Sequence, residues 1–302
     1  MNWKIDRRKF LSLSGSLAGA LAFAPSSIYS RQSAQIKFGL ITDSHYADRE
    51  NKGTRFYRQS LVKMRECIEI FNQEKVDFAI HLGDFKDEDP NQRTEDTLGY
   101  LKAIEAEFAK FKGPRFHCIG NHDVDSITKQ QFLTNVENTG IAKDKSYYSF
   151  DQKGFHFVVL DANYDKTGKD HFYKEGADWQ DVNIPQAQRN WLADDLAKTK
   201  LPTIVFCHHP LFEYFSGSAT MHVQDFEGIQ KIMESSGKVK ASIHGHVHEE
   251  KYAEVDGIQF ISQLGMVDQD GLENNSFAII TFTETQLQLD GYKRTTDKSF
   301  SF

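Results

Sequence analysis

Paired thiols are missing from this chain. Its three cysteines, Cys67, Cys118 and Cys207, are scattered without a pairing motif, and an odd number supplies no disulfide framework. Cys118 and Cys207 stand in apolar runs, where cysteine behaves as a small hydrophobe. Beyond the first 24 residues no apolar run is long enough to cross a bilayer, which takes roughly 20 residues. There is no low-complexity linker, no internal repeat and no nucleophile-elbow sequence, which argues against a serine-based hydrolase. Basic charge is also in deficit, at a formal net −7. A chain without a basic face is a poor binder of nucleic acid or anionic membrane, so the balance points to a small substrate held at a local site.

The amino end carries what basic excess there is. Lys4, Arg7, Arg8 and Lys9 precede an apolar, small-residue stretch from Phe10 to Ala24, and Ala22-Phe23-Ala24 suits signal peptidase. Arg7-Arg8 followed by Phe10 and Leu11 resembles a twin-arginine leader, which implies export of a folded protein through the twin-arginine machinery to the bacterial periplasm. A membrane anchor is the alternative reading. Cleavage after Ala24 would remove four basic residues and Asp6, leaving a net charge of about −10. The expected organisation is therefore a leader and short linker over 1–30 and one domain over 31–302.

Hydrophobic periodicity in that domain alternates between strand and helix. Strands are expected at 36–43, 76–84, 115–121, 203–207 and 240–245, a hairpin at 146–162 turning at Gly154, and late strands at 251–255, 258–264 and 277–293. Helices are expected at about 55–72, 93–111, 184–198 and 225–235. Pro185, two residues after the capping candidate Asn183, announces the third of these. Strands alternating with helices predict a layered α/β fold.

The stretch SIHGHVHEE places His244, His246 and His248 at alternate positions, which in a regular strand share one face. Burying an unpaired imidazole nitrogen costs roughly 1–3 kcal/mol, so the segment is either a metal site or an exposed polar strand end. Other strand ends bear on the choice. The first expected strand closes on Asp43-Ser44-His45, the second on Gly83-Asp84 and the third on Gly120-Asn121-His122-Asp123. Two later ones close on His208-His209-Pro210 and Gly245-His246-Val247-His248. Ligands in α/β sheets bind outside the carboxyl ends of strands, so these loops should converge. Oxygen and nitrogen donors suit manganese, iron or zinc, and a pair of such ions suits hydrolysis of phosphate esters.

The same five motifs resemble those of the calcineurin-like metallophosphoesterase family. The resemblance implies a four-layer αββα sandwich of two mixed β-sheets flanked by helices, and a dinuclear metal centre. One ion is expected on Asp43, His45, Asp84 and His248, the other on Asp84, Asn121, His208 and His246, with Asp84 as the bridge. A hydroxide held between the ions would attack phosphorus in line. Asn121 would steady the phosphoryl oxygens, and His122 would serve as proton donor or transition-state clamp, oriented by Asp87 if that residue is not simply a solvated loop acid. His209 is left behind the ligands or at the substrate. His244 is read as a strand residue, packed or substrate-facing.

Around these motifs the sequence is similar to the branch of manganese-dependent ADP-ribose/CDP-alcohol diphosphatases. That similarity implies a nucleoside diphosphate conjugate as substrate, with Arg55 and Tyr57 near its mouth. His45 and Asp123 depart from the glutamine and glutamate expected there. The alternative is a broad exported phosphomonoesterase or a cyclic-nucleotide phosphodiesterase. Loops 163–183 and 211–224 bring Tyr164, His171, Tyr173, Trp179, Tyr214, Phe215 and His222, for stacking on a base or for packing on the protein itself.

Overall fold

Alternation of side chains along the strands builds two cores at once. In the computed structural model, which describes residues 34–302, β1 (Gln35–Ile41) turns Ile36, Phe38 and Leu40 one way and Ile41 the other. Phe38 stacks on Phe78 of β2 (Phe78–His81), with ring centroids 4.7 Å apart. The same alternation recurs in β5 (Phe155–Leu160), where Phe157 and Val159 face the inner core and Val158 and Leu160 face outward. Each such side chain removed from water stabilises the fold by roughly 1.5–3 kcal/mol.

Two six-stranded sheets result. The first adds β3 (Arg115–His117), β10 (Ser276–Thr283), β11 (Gln286–Lys293) and β12 (Lys298–Ser301), in the order β12-β11-β10-β1-β2-β3. The second adds β4 (Tyr148–Gln152), β6 (Thr203–Cys207), β7 (Val239–His244), β8 (Lys251–Val255) and β9 (Ile258–Ser262), in the order β4-β5-β6-β7-β9-β8. In the first sheet β1, β2 and β3 pair in parallel and β12, β11, β10 and β1 antiparallel; in the second the inner strands β5, β6, β7 and β9 pair in parallel and the edge strands β4 and β8 antiparallel, so both sheets are mixed. The outer face of the first sheet packs on α1 (Ser60–Gln73), α2 (Thr94–Phe108) and α3 (Lys129–Asn135), through Met64, Phe71, Leu101 and Phe132 among others. That of the second packs on α4 (Gln186–Lys198) and α5 (Phe226–Ser236), through Leu192, Leu196, Ile229 and Met233. The expected αββα sandwich is therefore the fold.

Several boundaries move. β1, β2, β3 and β7 stop before their motif residues, at Ile41, His81, His117 and His244, and the chain then leaves the extended conformation, left-handed at Asp43, Asp84 and His246 and right-handed at Asn121. Arg55 precedes the helix expected from about 55, lying in a loop before a single 3₁₀ turn at Tyr57–Gln59. Pro185 itself occupies the cap position of α4, while the Asn183 amide is drawn to Tyr164 O and Asp181 instead. α3 was not expected, although Thr128 and Gln131 form a reciprocal capping box at its start. The leader and the boundary after residue 30 lie outside the described residues.

Candidate metal centre

Backbone conformation brings the motif residues inward. Asp43, His45, Asp84, His246 and His248 all adopt the left-handed region, with φ of 52°, 43°, 51°, 70° and 54°. A non-glycine residue pays about 1–2 kcal/mol there, so these turns persist only because their surroundings hold them. Two glycines make room. A Cβ on Gly120 would fall on the backbone nitrogen and carboxylate of Asp84, and one on Gly245 on the side chains of Thr42 and Asp43.

Each histidine of the expected set has one ring nitrogen tied to an oxygen. His45 Nδ1 lies 3.0 Å from Asp87 Oδ2, and His248 Nδ1 2.7 Å from Asp268 Oδ2. His208 Nδ1 lies 2.9 Å from Leu82 O, and His246 Nε2 2.8 Å from Thr220 O. A carbonyl or carboxylate oxygen can only accept, so the nitrogen facing it carries the proton and the opposite one offers a lone pair. Those lone pairs crowd together. His45 Nε2 stands 3.2 Å from His248 Nε2 and 3.3 Å from Asp84 Oδ2, and His248 Nε2 stands 3.3 Å from Asp43 Oδ1. On the other side, His208 Nε2 is 3.3 Å from Asp84 Oδ2 and 3.2 Å from Asn121 Oδ1.

Acceptors facing acceptors repel unless positive charge lies between them. The donor set therefore fits cations, in two groups: Asp43, His45 and His248, and Asp84, His208 and His246. Asp84 Oδ2 is equidistant from His45 and His208, the position a bridge requires. Its Oδ1 accepts from the backbone N–H of His122 at 2.7 Å. Burial by itself would raise the Asp43 and Asp84 carboxyls, yet the surrounding imidazoles hold both well below the usual carboxylate range.

His122 stands at the rim, with its side chain 23 % exposed. Its Nδ1 faces Asp87 Oδ2 and Asp125 Oδ2, each at 3.7 Å. Asp87, the residue expected to orient His122, is one of these two carboxylates. Asp87 gives its short contact to His45 and also takes Arg49 at 3.2 Å, so Asp125 shares the flank of His122. Burial lowers the His122 pKa, but Asp87, Asp84 and Asp125 together push it up to about 9.

Other expectations sort by burial. His244 stays at the end of β7, fully buried, with Nε2 2.8 Å from Ser242 Oγ and accepting from Leu211 N; burial pushes it down to about 3. The face shared by three imidazoles does not form, because the strand ends at His244. His209 is also buried, against two of the candidate ligands, with ring centroids 5.0 Å from His208 and 4.5 Å from His246. Arg55 Nη1 comes to 3.5 Å from Asp87 Oδ2, whereas Tyr57 is buried beneath the Arg49 guanidinium. Most loop aromatics pack on the protein: Tyr164 under Lys129, Phe215 under Lys251, His222 against Phe226 and Tyr214 against Phe212. Trp179 differs. It stacks on Tyr173 at 3.6 Å, remains 41 % exposed, and lies 5.2 Å from the His122 ring. Sequence reasoning missed Asp125, Asp268 and Arg49. Asp125 sits three residues beyond His122, but nothing about a lone acid 20 positions past His248 marks Asp268.

Residues 36–250 match the family described as calcineurin-like phosphoesterase. A rice (Oryza sativa subsp. japonica) protein named manganese-dependent ADP-ribose/CDP-alcohol diphosphatase is 27% identical over 252 residues, 70% of this chain and 77% of that protein. One of the same name from Danio rerio is 23% identical, over 88% of this chain and 98% of its own. Among solved structures, a dimetal phosphatase from Danio rerio superposes with a TM-score of 0.75 at 21% identity, covering 89% of this chain and 99% of the other.

Proposed function

This chain belongs to the calcineurin-like phosphoesterase family, and from that premise we propose that it is a dinuclear metal-dependent hydrolase that cleaves the diphosphate bond of nucleoside diphosphate conjugates such as ADP-ribose or CDP-alcohols. The observation that carries the hydrolytic reading is Asp84 Oδ2, 3.3 Å from both His45 Nε2 and His208 Nε2, between two clusters of lone pairs. The substrate class rests on the similar proteins named manganese-dependent ADP-ribose/CDP-alcohol diphosphatase.

Asp43, His45, Asp84 and His248 would hold one ion, and Asp84, Asn121, His208 and His246 the other; manganese, iron and zinc all accept these donors. Such a pair supplies, when bound, a Lewis acid at the phosphoryl group and a water made acidic enough to attack near neutral pH. The chain's own residues do the rest. Asp268, Asp87, Leu82 O and Thr220 O lock the four imidazoles in the tautomers that leave a lone pair inward. Asn121 offers its amide N–H to a phosphoryl oxygen while its carbonyl oxygen faces the ligand cluster. His122, with Nδ1 turned to two carboxylates, presents Nε2–H to the leaving oxygen.

An activity panel on the manganese-loaded protein tests the reading, with ADP-ribose, CDP-glycerol, 4-nitrophenyl phosphate, bis(4-nitrophenyl) phosphate and cyclic AMP. Diphosphate conjugates should lead in kcat/KM. A lead for 4-nitrophenyl phosphate would instead establish the broad phosphomonoesterase, the reading that His45 favours by giving the first ion a further imidazole.

The leader supports a second proposal, export to the periplasm by the twin-arginine route. Among the described residues no helix is long and apolar enough to cross a membrane. Arg7→Lys with Arg8→Lys should retain the precursor in the cytoplasm; normal processing of that variant would point to another route.

A further inference from the structure

Beside the metal centre a cavity of about 500 Å³ opens between Arg49, Lys52, Arg55, Tyr57, Asp87 and His122. We propose that this cavity seats the second phosphate of the substrate, the one not attacked, and so selects diphosphates over single-phosphate esters. The inference rests on the hydrolase reading above.

Three cations line the cavity against two carboxylates, Asp87 and Glu88, a local excess of positive charge in a chain whose formal net charge is −7. Arg49 donates to Asp87 Oδ1 at 3.2 Å and to Glu88 O at 3.3 Å, and its guanidinium lies over the Tyr57 ring at 4.9 Å. These contacts hold it in place. Lys52 has no ion pair or side-chain hydrogen bond among the described residues, which leaves its charge for a ligand. The wall it stands on is firm. Lys52 and Arg55 close a turn through two backbone hydrogen bonds, with Gly53 at φ 59°, and Phe56 N and Thr54 O tie that turn to Val267 O and Gln269 N.

Proximity fixes which phosphate would lie there. Asp87 Oδ2 touches Arg55 at 3.5 Å, lies 3.7 Å from His122 Nδ1, and holds His45 at 3.0 Å, so one carboxylate spans from the candidate metal ligands to the cavity. A diphosphate with one phosphorus at the ligand cluster places its neighbour at this mouth. In the step, the oxygen of water bonds to the attacked phosphorus and its proton passes to solvent. The bond from that phosphorus to the bridging oxygen breaks, and the oxygen leaves with the electron pair on the second phosphate, where His122 and the guanidiniums meet it. A planar guanidinium suits this task, because it offers parallel donors to phosphate oxygens.

The test reads binding separately from cleavage. The manganese-loaded protein hydrolysing bis(4-nitrophenyl) phosphate is inhibited with AMP or with an ADP-ribose analogue whose bridging oxygen is replaced by methylene. The parent should bind the methylene analogue more tightly than AMP. A hydrogen bond to a charged group contributes roughly 1.5–3 kcal/mol, so Arg49→Gln should narrow that preference by about tenfold or more. Lys52→Gln, which disturbs no contact of the fold, should narrow it in the same direction and decides the matter if the Arg49 variant does not fold. An unchanged preference in Lys52→Gln and in any folded Arg49→Gln overturns the subsite, even where ADP-ribose is cleaved. A preference that responds to these substitutions while ADP-ribose is not cleaved upholds the subsite and removes the cleavage reading.

Discussion

At Asp84 one oxygen faces two imidazoles and the other is held by a backbone N–H, so a single side chain organises both halves of the site. Asp84→Ala should therefore lose metal as well as activity. Elemental analysis finding two ions still bound in that variant would remove the bridging role. His122 invites a different measurement. Its Nδ1 lies between Asp87 and Asp125, which together with Asp84 outweigh burial and push its pKa up to about 9. A placed proton donor contributes typically about 10²- to 10⁴-fold, most where the leaving oxygen is basic. Across esters of graded leaving-group acidity, His122→Ala should show a steeper dependence of log rate on leaving-group pKa than the parent. A uniform drop with equal slopes would make His122 a clamp on the phosphoryl charge.

Single elements carry their own electrostatics. His156 of β5 reaches Asp151 of β4 at 2.6 Å and Asp195 of α4 at 2.8 Å, joining hairpin to helix at the flank of the second sheet. Burial disfavours its charge, but the two carboxylates prevail and raise its pKa above 6.5. A raised folded-state pKa means that this contribution is complete below 6.5 and fades as pH climbs through the folded value. Denaturation midpoints of the parent should fall relative to His156→Gln as pH rises through that window. Parallel curves for the two proteins would show that the triad does not couple to stability. His156 pairs with Thr203 at the start of β6, the opposite end of that strand from His208, so stability and not catalytic activity is the readout.

For the molecule as a whole, the metal centre is a load on the fold as well as a tool. Five residues in the left-handed region, with ring nitrogens and carboxylates facing one another, are held by loops from both sheets. Cations that bind only the folded chain stabilise it, by about 2.7 kcal/mol per site at a hundredfold excess over Kd. For a domain of this size each kcal/mol moves Tm by roughly 2–4 °C. Chelation should lower Tm by several degrees, and added manganese should restore it. An identical Tm with and without chelator would mean that the cluster holds no ion with useful affinity.

Much of this design is local, and local features are readable in a chain. Period-two apolar runs such as Phe155–Leu160 and the helical spacing of Met64, Ile68 and Phe71 follow from elementary geometry, so the layered α/β order was legible. The five motifs pointed to side chains that the fold brings into two groups able to hold cations, because those residue types recur at strand ends, where α/β folds place ligands. What no local pattern encodes is which acceptor meets each imidazole's outer nitrogen. Asp268 joins His248 from 20 positions away, Leu82 O joins His208 across 126, and Asp87 joins His45 across 42 while also flanking His122. Likewise, the end of β7 at His244 separated one imidazole from its two neighbours although all three share a spacing. These outcomes depend on the packing of distant loops against one another. The sequence by itself determined the layers and the donor types; only the tertiary structure decided tautomers, orienting partners and the charged cavity beside them, because each arises from contacts between segments far apart in the chain.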